Sequence, residues 1–258
     1  DNRRVLHGRT AFDSTGPRHL RGGYCDVDGV SSKYRAHAAY AAAKAAAVGQ
    51  PVPDLSVLGR ATDLAMWFMR QQGLVTYGED CTMLSHTLQT AKLAAEAAED
   101  EETVLGCAYH DMGHLSEVAD YMGESKLAVM DSPELGDVGM DDHDRRGRDF
   151  LLRFGFSERV ADIPGSHVQA KRYLVATNAG YADKLSLASQ ETLKLQGGPM
   201  SHEEVVKWNS SDKSRVHRAR NFEEEGKVPS WEVTDDTELS IAQLEAMTRR
   251  HFEQRLKL

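Results

Sequence analysis

The sequence predicts an all-α chain, and three observations carry that expectation. Apolar residues recur every three to four positions, as at Leu84, Leu88, Ala91 and Ala95, which places them on one face of a helix. The stretch 35–48 (RAHAAYAAAKAAAV) is alanine-rich, and alanine loses little side-chain entropy in a helix. No segment shows convincing apolar–polar alternation, and no Asn-Gly hairpin signal is present.

Residues 1–34 are rich in Gly, Arg and Asp without periodicity and read as irregular. The helix at 35–48 is broken by two prolines in GQPVPD. A buried helix follows at 57–73, carrying Leu58, Leu64, Met66 and Phe68 and stopped by Gly73. An amphipathic helix is expected over 84–98 and a second over 102–115. Residues 116–140 read as a loop, with many acids and SPELGDVGM at the end. A helix over 141–155 ends at Gly155. Another begins near Ser157, and Pro164, which removes a backbone donor, separates it from one beginning at His167. Further helical stretches fall at 186–196, 201–209, 213–226 and 238–256.

The 258 residues are enough chain for one large domain, or a domain with an extension. Lys and Arg number 31 against 40 Asp and Glu, a net charge of −9, which disfavours binding to a nucleic-acid backbone. No apolar run approaches the length of a membrane span, and the first residues contain no apolar signal-peptide core. Cys25, Cys81 and Cys107 are too few and scattered for a disulfide scaffold or a zinc knuckle. A reducing, cytoplasmic-type compartment is the expectation.

Histidine is the over-represented residue, with 11 in the chain. The densest cluster is Tyr109-His110-Asp111-Met112-Gly113-His114, where His114 follows His110 by one helical repeat. His86 lies 24 residues before His110, and His143 lies 24 residues before His167. Each interval suits two antiparallel helices joined by a loop, which return the chain to one level of a bundle and bring ligands from facing helices together. An adjacent His and Asp on a buried helix is costly without a partner. Taken singly, His86 also suits a hydrogen-bonded core position, and His143, flanked by acids, a solvated helix start. Together, four histidines plus a carboxylate able to bridge exceed one tetrahedral site and favour two metal ions. Ligation by nitrogen and oxygen alone suits iron or manganese better than structural zinc.

Through His86, His110-Asp111 and the later histidines, the sequence resembles the HD-domain superfamily. It is more closely similar to one branch. His167-Val168-Gln169-Ala170-Lys171-Arg172-Tyr173-Leu174 resembles that branch's HVxAKRYL signature, as do Leu185-Ser186-Leu187-Ala188-Ser189, Thr192-Leu193 and Gln196-Gly197-Gly198-Pro199-Met200. The branch comprises mixed-valent diiron oxygenases that cleave the C–P bond of 1-hydroxyphosphonates, relatives of myo-inositol oxygenase. The resemblance spans about residues 76–228 and implies an HD-domain helical bundle over 76–258, preceded by an N-terminal extension over 1–75.

The resemblance also implies roles. His86, His110 and Asp111 would hold one iron, with Asp111 bridging to a second iron completed by His143 and His167. His114 would touch substrate. Lys171 would meet the phosphonate as a point-charge anion binder, with Ser189, Thr192 and Gln196 beside it. The family's last ligand is an Asp in a motif like RRWDDxxK. The matching stretch here is Arg220-Asn221-Phe222-Glu223-Glu224-Glu225-Gly226-Lys227, which selects Glu223, with Glu224 as the backup. Asp183, in Tyr-Ala-Asp-Lys, matches the final Asp of phosphohydrolase-type HD domains and ranks lower. The family's mobile loop carries Tyr-x-Gly-Glu. Here Glu79 keeps its spacing to His86, while Tyr77 sits one residue late because Thr76 holds the expected place. Glu79 and Tyr77 would cover the irons and meet an amino or trimethylammonio substituent. The implied reaction uses a Fe(II)/Fe(III) pair and O2 as co-substrate, and yields a carboxylic acid and phosphate. The rivals are a metal-dependent phosphohydrolase, an oxygenase of a polyol or other hydroxylated substrate, and a binding module that has lost a ligand at Glu223.

Overall fold

The computed structural model describes residues 57–76, 78–124, 127–229, 231, 239 and 241–256. The irregular segment expected at 1–34, the alanine-rich helix at 35–48, Cys25 and Tyr77 lie outside the described residues.

Ten α-helices and one two-stranded hairpin are present among the described residues. In chain order they are α1 (Val57–Gln71), α2 (Met83–Glu96), α3 (Glu101–Ala108), α4 (Ser116–Met122), β1 (Val129–Ser132), β2 (Gly136–Met140), α5 (His143–Phe154), α6 (Glu158–Thr177), α7 (Leu187–Leu195), α8 (His202–Trp208), α9 (Ser214–Glu225) and α10 (Ile241–Leu256). Helix starts follow side-chain caps. Thr82, Asp100, Ser157 and Ser186 each accept a backbone N–H from the first turn of α2, α3, α6 and α7. Ser201 and Glu204 form a reciprocal capping box on α8.

Helices α2, α3, α6 and α9 pack around one another as a closed ring, and α5 lies along α6. α10 packs on α1 and reaches α3. One apolar core joins them: Leu58, Met66 and Met69 of α1 share it with Leu88, Leu105, Phe150, Ile163 and Leu244. The ring leaves the site residues of α2, α5 and α6 facing a common interior.

Three expectations are corrected. The helix expected over 102–115 ends at Ala108, so His110 and His114 share no helical face. Asp111 and His110 occupy a turn that leads into a 3-10 turn at Met112–His114. The His110 Nδ1–H donates to the Cys107 carbonyl at 2.7 Å, taking the acceptor that Asp111 N–H would use if the helix continued. Pro164 does not divide two helices, because α6 runs through it from Glu158 to Thr177. The missing backbone bond is offset by packing. Ile163 is so close to Gly106 of α3 that a Cβ there would fall 2.5 Å from Ile163 Cδ1. The loop expected over 116–140 contains α4 and an antiparallel hairpin, with Val129 paired to Met140 and Ser132 to Gly136. Its strands are four and five residues long and their register is interrupted between Val129 and Asp131, so too little alternation existed to read.

Candidate metal centre and substrate cavity

Four buried imidazoles point their Nε2 atoms at one another. The cause is the same for each: Nδ1 lies against a backbone carbonyl, which can only accept. His86 Nδ1 is 2.8 Å from Gly226 O, His110 Nδ1 2.7 Å from Cys107 O, His143 Nδ1 2.9 Å from Met140 O, and His167 Nδ1 2.7 Å from Pro164 O. Each Nδ1 therefore carries a proton, and any of these rings that is neutral presents an Nε2 lone pair.

The lone pairs meet in two couples. His86 and His110 Nε2 are 3.2 Å apart, and His143 and His167 Nε2 are 3.0 Å apart. Asp111 sits between the couples. Its Oδ2 is 3.2 Å from His110 Nε2 and 3.6 Å from His86 Nε2, and its Oδ1 is 3.7 Å from His167 Nε2. Among the described residues this gives two groups with all ligand atoms within 4.8 Å of one another: His86, His110 and Asp111, and Asp111, His143 and His167.

The donor set fits metal ions. Two lone pairs facing at 3 Å repel unless a proton or cation lies between them. Burial lowers the His86 and His143 pKa values to about 4, which discourages a proton there. Burial opposes charge on His110 too, but Asp111 outweighs it and raises that pKa to about 9. The cluster thus demands positive charge and offers nitrogen and oxygen ligands for it.

His114 differs from the other four. Its Nδ1 accepts the Met140 N–H at 2.9 Å, so its proton is on Nε2. Burial, then His143, holds its pKa well below the ordinary value, which keeps it neutral. It presents an N–H donor, falls outside both candidate ligand groups, and lines the cavity beside the histidine cluster. Gly113 and Gly139 make this placement possible. A Cβ on Gly113 would fall 1.9 Å from His143 O, and one on Gly139, where φ is +107°, 2.5 Å from the His114 ring.

The cavity opens from the cluster toward α6 and α7. Lys171 is buried there and donates to Thr192 Oγ1 at 2.8 Å. Burial, then the Arg220 charge, lowers its pKa to about 7. Ser189 and Gln196 line the same space. Glu79 lines it as well, but its Oε1 already accepts from Lys227 Nζ at 2.8 Å and Ser186 Oγ at 2.7 Å, so an internal ammonium stands where a substrate cation was expected.

Glu223 reaches the cavity from α9 and falls outside both ligand groups, because Arg220 Nη1 holds its Oε1 at 3.0 Å. Burial raises its pKa, but Arg220 and then His167 outweigh that and bring it to about 2, so it is anionic. Glu224 is turned away, accepting from Ser186 N–H at 2.6 Å and Arg220 Nη2 at 2.7 Å. Asp183 is exposed in a 3-10 turn.

Sequence reasoning missed two kinds of residue. Arg220 and Lys227 stood only as landmarks in the acidic motif, yet their charges organise Glu79, Glu223 and Glu224. Met130 and Val138 of the hairpin line the cavity, and no sequence signal pointed to them.

The HD domain family matches residues 83–206. The chain is 34% identical over 192 residues to a 1-hydroxy-2-(trimethylamino)ethylphosphonate dioxygenase of Leisingera caerulea that forms glycine betaine, covering 71% of this chain and 89% of that one. It is 31% identical over 171 residues to a hydroxymethylphosphonate dioxygenase of Gimesia maris, covering 65% and 78%. An uncharacterized protein of Acanthamoeba polyphaga mimivirus is 34% identical over 157 residues, covering 60% and 67%. Overlap of this extent, on a shared HD domain, places the chain in the HD-domain family, within the branch that contains the hydroxyphosphonate dioxygenases.

Proposed function

We propose that the protein is an O2-dependent diiron oxygenase that cleaves the C–P bond of a 1-hydroxyphosphonate, giving a carboxylic acid and phosphate. One observation carries this reading. A carboxylate shared by two pairs of imidazoles, each with its Nε2 turned to the cluster, opens directly onto a cavity that holds a buried lysine with a hydroxyl partner. His86, His110 and Asp111 would hold one iron, and Asp111, His143 and His167 the other, with Glu223 as a further ligand once freed from Arg220. Bound iron supplies the one-electron chemistry that reaction with O2 requires.

The chain's own residues account for the rest. Lys171, protonated, neutralises the phosphonate and fixes it with Thr192 and Ser189. His114 donates its Nε2–H to a substrate oxygen and stays neutral while doing so. Asp111, flanked by imidazoles, stays ionised, its pKa held down by His110 against the cost of burial. The sequence leaves the choice between an amino and a trimethylammonio substituent open.

The test is direct. Protein loaded with ferrous iron under argon is given a set of 1-hydroxyphosphonates, then air. The expected result is one phosphate released per O2 consumed, and none under argon. Release that proceeds under argon would make the C–P cleavage hydrolytic rather than oxidative and reject the oxygenase reading. No release from any of them in air would reject the substrate class.

A further inference from the structure

A second cavity shares no lining residue with the histidine site and lies between α6 and α8. It measures about 300 Å³, the lower end of the range for small-molecule sites. One wall rests on an aromatic stack. The Trp208 indole N–H donates to His217 Nε2 at 2.8 Å, and the His217 ring lies face to face with Tyr173 at 4.6 Å, their planes 6° apart. These contacts fix the indole, and Lys213 Nζ sits 5.2 Å from its ring centre. Met200 adds buried apolar surface and is tied by its N–H to the Arg172 carbonyl at 3.2 Å.

The polar lining is one-sided. Its carboxylate is already used: Glu204 accepts from Arg172 Nη2 at 2.9 Å and from the Ser201 N–H at 2.7 Å. Gln169 turns its carbonyl oxygen to Arg172 Nη1 at 2.9 Å, which leaves its amide N–H groups for the cavity. Lys207 Nζ holds no ion pair among the described residues. Lys213 Nζ has Asp162 at 3.5 Å, but Arg215 already holds that carboxylate at 3.1 Å. Two ammonium groups and an amide donor thus line the space, and the acids near them are spoken for. Such a lining suits an anion joined to a flat ring. Two ammonium groups match a phosphate dianion, the indole offers a stacking surface, and the amide N–H donates to a ring nitrogen or carbonyl. A net charge of −9 disfavours a polyanion, whereas one phosphate needs only the two lysines. We infer that this cavity binds a nucleoside monophosphate, with the base against Trp208 and the phosphate on Lys207 and Lys213. The proposed C–P cleavage uses none of these residues, so the inference stands apart from it.

The experiment is calorimetry on the full chain with the four ribonucleoside 5′-monophosphates, and with ribose 5-phosphate, the free nucleosides and inorganic phosphate as partial probes. At least one nucleotide is expected to bind saturably. Stacking is expected to make it at least about fivefold tighter than ribose 5-phosphate or inorganic phosphate. The charged contacts are expected to make it about tenfold tighter than its own nucleoside. Lys207→Ala, at an exposed position, and Lys213→Ala are each expected to weaken it on the order of tenfold, with the circular dichroism spectrum unchanged. Lys171→Met is expected to leave nucleotide binding as it is, which separates this cavity from the phosphonate one. Three results would overturn the inference: no saturable binding of any nucleotide at millimolar concentration, equal affinity for inorganic phosphate, or binding lost in Lys171→Met but kept in Lys207→Ala.

Discussion

His114 and His143 stack at 3.8 Å with their planes 19° apart, yet they hold opposite tautomers. One peptide residue does this. Met140 gives its N–H to His114 Nδ1 and takes the Nδ1–H of His143 on its carbonyl. Two adjacent buried imidazoles thus turn opposite atoms to the cavity, an N–H donor from His114 and an Nε2 acceptor from His143.

The first prediction follows from that division. His114→Asn keeps a donor but cannot place it where the ring Nε2–H lies. It is expected to lower kcat/KM on the order of 100-fold, the usual scale for one misplaced oxyanion donor, with iron content unchanged. His143→Asn is expected to lower iron content instead. Metal analysis beside steady-state kinetics separates the two, and equal iron loss in both variants would refute the division.

Asp111 gives the second. It is the one carboxylate common to both ligand groups. Asp111→Ala is expected to bring bound iron below one per chain, whereas His167→Ala is expected to leave about one. Elemental analysis after anaerobic loading decides it, with circular dichroism as the check on folding.

Lys171 gives the third, through pH. Its folded pKa of about 7 lies below the ordinary lysine value of 10.5. The native state therefore sheds its proton first, and between pH 7 and pH 10.5 the unfolded chain binds more protons than the folded one. Stability is accordingly expected to rise across that window, with the full cost present below pH 7. Burial lowers this value most, Arg220 and Lys227 lower it further, and Glu223 and Glu224 oppose them. Lys171→Met is expected to raise stability by about 1 kcal/mol and to abolish the pH-dependent gain, while weakening phosphonate binding at least tenfold. Melting curves at pH 6, 8 and 9.5 test it, and a variant that melts lower at pH 6 would count against it.

Gly113 gives the fourth. The Cβ of Gly113→Ala would collide with the backbone of His143, which is no flexible side-chain tip. The variant is expected to lose about 2 kcal/mol or more and to bind less iron. Gly123→Ala, where a Cβ meets nothing within 4 Å but φ is +77°, is expected to lose about 1 kcal/mol with iron content unchanged.

The helical frame was legible because α2 carries plain 3.6-residue periodicity behind a Thr82 cap and α5 stops at Gly155 in the left-handed conformation. The ligand histidines were legible from paired intervals of 24 residues. What was not legible depended on contacts between distant segments. α6 continues through Pro164 because α3 grips Ile163 across Gly106. His110 and Asp111 leave the helix because a side chain captures the Cys107 carbonyl. Glu223 and Glu224 look alike in the chain, and only Arg220 and Ser186 turn one toward the cavity and the other away. The hairpin was missed because its turn and short strands carry too little pattern.

The paired role of Met140 rests entirely on its main chain. Any amino acid with an amide hydrogen can serve at position 140, so drift there is invisible to the chemistry. Proline alone would break it, removing the donor to His114 while leaving the acceptor for His143. A conserved function can therefore sit at a site whose side chain is free to vary, and a search for functional positions by residue identity would pass over it.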